Sequence, residues 1–273
     1  MKTIKNLKIA AAIALLASTA AVDAEPILYS TTGGGSTLVR IDVGDGTVTE
    51  IGPLGVPGAF AIALSPKGKL YTVTQGYPPG GANPQLARVD PVTGLATPFG
   101  VNLNPEIFMG LGFSPNGKLY GVNAASETPN QNSLYRFDLK TGKAKMVGIP
   151  GGCGYIMDLA RYHGKMYGVD PTSLYRINLH TGQAELVTTF QGLANVMGLA
   201  IDDDGNFYVA EIWDENFNGL DRPLWRVDAL TGAATAVAGV SLSFPHGLEF
   251  IPTDADDDDK DADDDDSRHG HDR

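Results

Sequence analysis

The sequence predicts an all-β fold: a five-bladed β-propeller with four antiparallel strands per blade and a closing blade shared by the N- and C-terminal strands. Three observations carry this expectation. A short strand phrase recurs five times at blade spacing, each copy leads into the same second strand and glycine turn, and the first and last repeats are out of phase.

The recurring phrase is Leu28-Tyr29, Leu70-Tyr71, Leu119-Tyr120, Met166-Tyr167 and Phe207-Tyr208, at spacings of 42, 49, 47 and 41 residues. Each is followed by LVRID (38–42), LARVD (86–90), LYRFD (134–138), LYRIN (174–178) or LWRVD (224–228), and then by a Gly turn. A third phrase, such as AKMVG (144–148) or AELVT (184–188), comes next. A fourth reads AIALSPKGK (61–69), GLGFSPNGK (110–118), DLARYHGK (158–165), GLAIDDDGN (198–206) and finally GLEFIP (247–252). Each phrase is short, rich in Val, Ile, Leu, Tyr and Phe, and bounded by Gly or Pro, which are strand signals; no helical period is sustained. In Asp-x-x-Thr-Gly the Asp suits the first position of a type I turn, and the Gly supplies the positive φ of a bulged hairpin. The first repeat begins on its second strand and the chain's last strand is a lone first strand, so the two complete one blade, joining Ile27 to Phe250.

The ends read differently. Lys2, Lys5 and Lys8 precede an apolar stretch from Ile9 to Val22 and a small-x-small site at Val22-Asp23-Ala24, the pattern of a secretory signal peptide over residues 1–24. The propeller is expected over 25–252, and 253–273, with 11 Asp against 3 Lys/Arg, is expected to be a disordered acidic tail. A periplasmic or secreted protein follows, and no other stretch is apolar enough to span a bilayer. The body carries 14 Lys/Arg against 20 Asp/Glu and shows no basic patch, so nucleic acid is not an expected partner. Cys153 is the single cysteine, so no internal disulfide can form; it is either a buried small hydrophobe or a free thiol.

Five copies allow an internal comparison. What all five share belongs to the blade. Arg40, Arg88, Arg136, Arg176 and Arg226 recur on the third strand and are read as scaffold, each packing its stem and pairing with the acidic residue two positions on. What breaks the pattern is available for function. One ring begins the innermost strand of each blade: Phe60, Met109, Met157, Met197 and His246. A second follows the Leu-Tyr strand: Thr32, Thr74, Asn123, Asp170 and Glu211. Strand polarity places both at one end of the channel, with the long loops 75–85, 123–132 and 211–223. Those loops carry Tyr77, Trp213 and Phe217, aromatic candidates for a recognition rim. Asp158 and Glu249 interrupt columns of Gly and Ala, and Asp158 with His246, or Glu249 with an arginine, are the expected pairs.

The phrases LYGV…LYRFDLKTG and GLAIDDDGNFYVAE resemble exported propeller repeats of the gluconolactonase and NHL-type superfamily, over the whole body of the chain. In gluconolactonase-type propellers oxygen ligands of the inner strands hold a divalent metal. Here His246, in PHGL, stands where that pattern has Asn, and Phe60 with three Met fills the rest of the ring, which is not a hard-cation set. The resemblance therefore implies architecture rather than lactonase chemistry.

Two functional readings remain. The first is a module binding a small molecule or protein through the loop-rich face, using His246, Asp170, Glu211, Asn123, Trp213, Phe217 and Tyr77. The second is a metal-dependent hydrolase or lyase at the channel mouth, with Asp170 and Glu211 holding a divalent cation beside Asn123. No cofactor motif is present. The thioethers of Met109, Met157 and Met197 form either an apolar plug or, with His246, a site for Cu(I).

Overall fold

The computed structural model describes residues 27–75, 83–104, 106–124, 130–213 and 221–251. The expected signal peptide, the acidic tail, Tyr77 and Phe217 lie outside the described residues.

Twenty strands form five four-stranded antiparallel sheets. The first blade takes β1 (Ile27–Thr32), β2 (Thr37–Asp42) and β3 (Val48–Pro53). The second takes β4 (Ile62–Leu64), β5 (Leu70–Val73), β6 (Leu86–Val89) and β7 (Ala96–Phe99). In the third are β8 (Phe108–Phe113), β9 (Leu119–Asn123), β10 (Ser133–Phe137) and β11 (Ala144–Gly148). The fourth holds β12 (Asp158–Tyr162), β13 (Lys165–Val169), β14 (Ser173–Ile177) and β15 (Ala184–Thr189). The fifth holds β16 (Val196–Ile201), β17 (Phe207–Glu211), β18 (Leu224–Val227) and β19 (Ala234–Ala236). The final strand, β20 (Leu248–Ile251), returns to the first blade and pairs antiparallel with β1, Leu28 opposite Phe250 and Tyr29 opposite Glu249. The five blades and the shared closing blade are those read from the repeats.

The core lies between blades. Successive residues of a strand face opposite neighbours, so each interface buries a cluster of its own. Ala61, Tyr71 and Leu86 of the second blade meet Phe108, Leu111 and Phe137 of the third, and comparable clusters fill the other four junctions. The innermost strands β4, β8, β12, β16 and β20 touch in cyclic order around the axis.

The turns lock the rim. Asp42, Asp90, Asp138, Asn178 and Asp228 each accept the backbone N–H groups two and three residues on, as in Asp138 Oδ1 to Lys140 N at 2.9 Å and Thr141 N at 3.0 Å. These bonds hold the carboxyls of Asp90, Asp138 and Asp228 below the ordinary carboxylate range. The expected pairing of each third-strand arginine with that acid is therefore corrected, because the acid already serves its own turn. Arg176 instead pairs with Glu185 across the hairpin, Arg226 donates to Asn206, and Arg88 sits 5.5 Å from the Phe99 ring centroid.

The glycine closing each turn has φ between 70° and 80° and docks on the preceding blade. A Cβ on Gly94 would lie 2.7 Å from Gly52 O, one on Gly142 2.9 Å from Gly100 Cα, and one on Gly182 2.8 Å from the Gly148 carbonyl carbon. Gly232 meets Thr189, and Gly46 meets Ala238 and Gly239, completing the circle. Gly117 has a similar φ of 72° with open space around it. Gly117→Ala should thus cost only the left-handed backbone penalty, about 1–2 kcal/mol, in urea denaturation. Gly142→Ala should cost clearly more, because backbone must move as well. Equal losses for the two would contradict the rim interlock.

Candidate functional site

At the axis the innermost strands approach too closely for side chains at one level. A Cβ on Gly110 would lie 2.4 Å from Asp158 Cα, one on Gly198 2.6 Å from His246 O, and one on Gly247 2.7 Å from Ile62 N. Asp158 is the fourth-blade residue at this level. Its side chain is fully buried, and its carboxylate collects backbone N–H groups from three blades. Oδ1 accepts from its own Leu159 N at 2.9 Å, while Oδ2 accepts from Leu199 N at 2.9 Å and Leu248 N at 3.2 Å. Burial pushes this carboxyl well above the ordinary range despite the three N–H bonds, and nearby Glu249 adds to the rise. The expected pair with His246 does not form; the backbone supplies the partners instead.

Glu249 lies one residue further along β20 than Leu248. It accepts from Leu64 N, and the charge of Arg161 acts on it from a distance, without an ion pair between the two. Glu249 keeps part of its surface open while protein surrounds it, as for a group lining a narrow lumen. That desolvation raises its pKa to about 8.

Phe60, Met109, Met157, Met197 and His246 form the ring on the loop side of Asp158. The four apolar members are each half-buried and His246 is 3% exposed. His246 stacks on Phe60 at 4.6 Å between centroids and packs against Phe244 at 5.5 Å, and its Nδ1 donates to Phe244 O at 3.2 Å. Phe244 in turn meets Trp213 edge to face at 5.5 Å. Four rings thus run from the axis to the loop carrying Trp213. Phe244 has φ 49°, unusual for a bulky side chain. Sequence reasoning missed it, because nothing in SFPHGL announces a left-handed backbone. Burial lowers the His246 pKa to about 4.

The second ring serves the scaffold. Asn123 Oδ1 accepts from Ile107 N at 3.1 Å, and its Nδ2 donates to Glu106 and to Asn130 O. Glu106, also missed from sequence, further accepts from Tyr135 Oη at 2.8 Å and Asn130 Nδ2 at 3.1 Å. Asp170 accepts from Gly154 N, Thr172 N and Tyr175 Oη at 3.0, 2.9 and 2.9 Å. Tyr175 is thereby pushed up to about 12 by burial and the Asp170 bond. Glu211 accepts from Ala194 N at 3.0 Å and pairs with Arg222 at 2.8 Å. Asn123, Asp170 and Glu211 therefore clamp the segments that lead into the innermost strands of their own blades. Among the described residues no three His, Cys, Asp or Glu side chains group as a metal site. Cys153 is a half-buried free thiol that accepts from Asn132 Nδ2 at 3.7 Å, and burial raises its pKa.

Two open grooves lie elsewhere among the described residues. One of about 830 Å³ is lined by Tyr208, Arg226 and the 228–237 hairpin, and one of about 530 Å³ by Arg176 and the 177–185 hairpin. Both sit at the turn end of a blade and repeat the same relief, so they follow from the repeat rather than from a particular site.

The five sheets and the closing blade define a five-bladed β-propeller. No family model matches the sequence, and no curated protein matches it. Solved structures do. A protein of unknown function from Bacteroides caccae is 13% identical with a TM-score of 0.51, over 84% of this chain and 99% of that one. A chain of a nidogen/laminin complex is 11% identical with a TM-score of 0.51, over 82% and 97%. A catalytically inactive virginiamycin B lyase from Staphylococcus aureus with quinupristin is 16% identical with a TM-score of 0.45, over 83% and 75%. At these identities the likeness is one of fold. No helix among the described residues is long and apolar enough to cross a membrane.

The buried groups set a two-sided pH dependence. Glu249, raised from 4.5 to about 8, contributes stability that is complete below 4.5 and lost as pH rises through about 8. His246, lowered from 6.5 to about 4, contributes stability that is complete above 6.5 and lost as pH falls through about 4. For this buried imidazole the loss is on the order of 3 kcal/mol. Urea denaturation from acid to alkaline pH should show both declines. Glu249→Gln should shrink the alkaline one and His246→Phe the acid one; unchanged slopes in both variants would sink this assignment.

Proposed function

We propose that this chain is an exported binding propeller that takes its ligand at the loop-bearing mouth of the axis, through flat, uncharged, apolar groups on a small molecule or a partner protein. The observation that carries this reading is the run of rings Trp213, Phe244, His246 and Phe60, held together with a strained Phe244. Strain of that kind concentrates where function requires a particular side-chain placement. His246 is neutral at physiological pH, so the mouth offers rings, thioethers and one imidazole rather than charge. The carboxylates once considered for chemistry at a metal, Asp170 and Glu211, have their oxygens taken up by the scaffold, which favours binding over a metal-dependent hydrolase or lyase. The likeness to gluconolactonase and NHL-type repeats is accordingly one of architecture. A propeller of similar fold occurs within the nidogen/laminin complex, so partner binding is compatible with such a scaffold.

The test uses N-phenylnaphthylamine, an uncharged aromatic fluorophore, titrated into the full chain. Saturable enhancement at a single site is expected, lost in Trp213→Ala and in Phe244→Gly. Relief of the positive φ, worth about 1–2 kcal/mol, offsets part of the lost ring packing in Phe244→Gly, and circular dichroism checks that both variants stay folded. Absence of saturable binding, or binding that survives both substitutions, would refute this reading.

A further inference from the structure

Where the aromatic run meets the axis, the ring it joins carries a different chemistry. Of the six methionines in the chain, Met109, Met157 and Met197 occupy the same register of three successive blades, each at the start of its innermost strand. His246 holds that register in the blade that follows, closing against Phe60. All three methionines are half-buried rather than sealed in the core. The imidazole is set as a donor: Nδ1 carries its proton to Phe244 O, which leaves the Nε2 lone pair unprotonated. Ligating histidines are commonly oriented by just such a bond from the other ring nitrogen to a carbonyl. The hard donor next to Met157, Asp158, has turned its oxygens onto Leu159, Leu199 and Leu248.

From this arrangement we propose that the axis mouth is a binding site for a soft monovalent cation, Cu(I) or Ag(I), ligated by the thioethers of Met109, Met157 and Met197 with Nε2 of His246. Thioether and imidazole donors select such ions over Ca²⁺ and Mg²⁺, which require oxygen. The site shares His246 and the thioethers with the apolar mouth proposed above, and its test reads metal transfer and methionine methyl signals rather than fluorophore binding, so the two can fail separately. Binding needs no redox step, because the ion enters and leaves in the same oxidation state.

The experiment is an anaerobic titration of the full chain with Cu(I) against a chromophoric Cu(I) chelator, repeated with Ag(I) and followed by NMR of the methionine methyl groups. One equivalent of metal should leave the chelator. The methyl signals of Met109, Met157 and Met197 should shift while those of exposed Met146 and buried Met166 stay in place. Met109→Leu, Met157→Leu and Met197→Leu together, a volume-conserving exchange that keeps the fold, should weaken binding by more than the roughly 10–100-fold that follows loss of a supporting hydrogen bond. His246→Phe should weaken it too, with the Phe60 stack preserved. Metal retained by the chelator would overturn the proposal. So would binding unaffected by the methionine exchange, or binding abolished by Cys153→Ser alone, which would place the ion at the thiol.

Discussion

Everything in this propeller is arranged around the convergence of five innermost strands on one axis. Each such strand has a neighbour on one side only, so its inner edge presents backbone N–H groups to a space too narrow to be well hydrated. Ala61, Gly110, Gly198 and Gly247 let the strands close in. Asp158 then fills the gap from a single blade and binds the N–H groups of Leu159, Leu199 and Leu248. One carboxylate does what no apolar side chain of that size could, since it brings acceptors as well as volume. Desolvation makes the same group reluctant to ionise, and Glu249 directly beyond it shares that reluctance.

The rim and the closing blade hold this convergence in place. Turn glycines interlock blade with blade, and β20 returns to β1 so that the ring has no free seam. The rings of Phe60, His246, Phe244 and Trp213 and the methionines that share the register of Phe60 and His246 lie at the loop-side end of this axis. The same packing that stabilises the fold thus places the proposed binding mouth at one end of the axis.

The repeats made the architecture legible because turn chemistry and strand alternation are local properties, copied five times. The phase offset between first and last repeats likewise told which strands close the ring. The site was legible only in outline. Asp158 stood out as a carboxylate in a column of small residues, yet its partners are backbone groups up to 90 residues away, which no side-chain pattern reveals. The acidic partners expected of the third-strand arginines were misread, because Asp138 and its equivalents spend their lone pairs on the turn they begin. Asn123, Asp170 and Glu211 looked like ligands for the same reason: the sequence shows an oxygen and hides the N–H it accepts from. Phe244 was invisible, since a positive φ on a bulky residue is imposed by tertiary contacts.

The axial tie is tested most directly by amide hydrogen exchange, compared between the native chain and Asp158→Ala by NMR. If one carboxylate joins three blades, the amides of Leu159, Leu199 and Leu248 exchange slowly in the native protein and selectively faster in the variant, while outer-strand amides change little. Equal protection of those three amides in both proteins would contradict it.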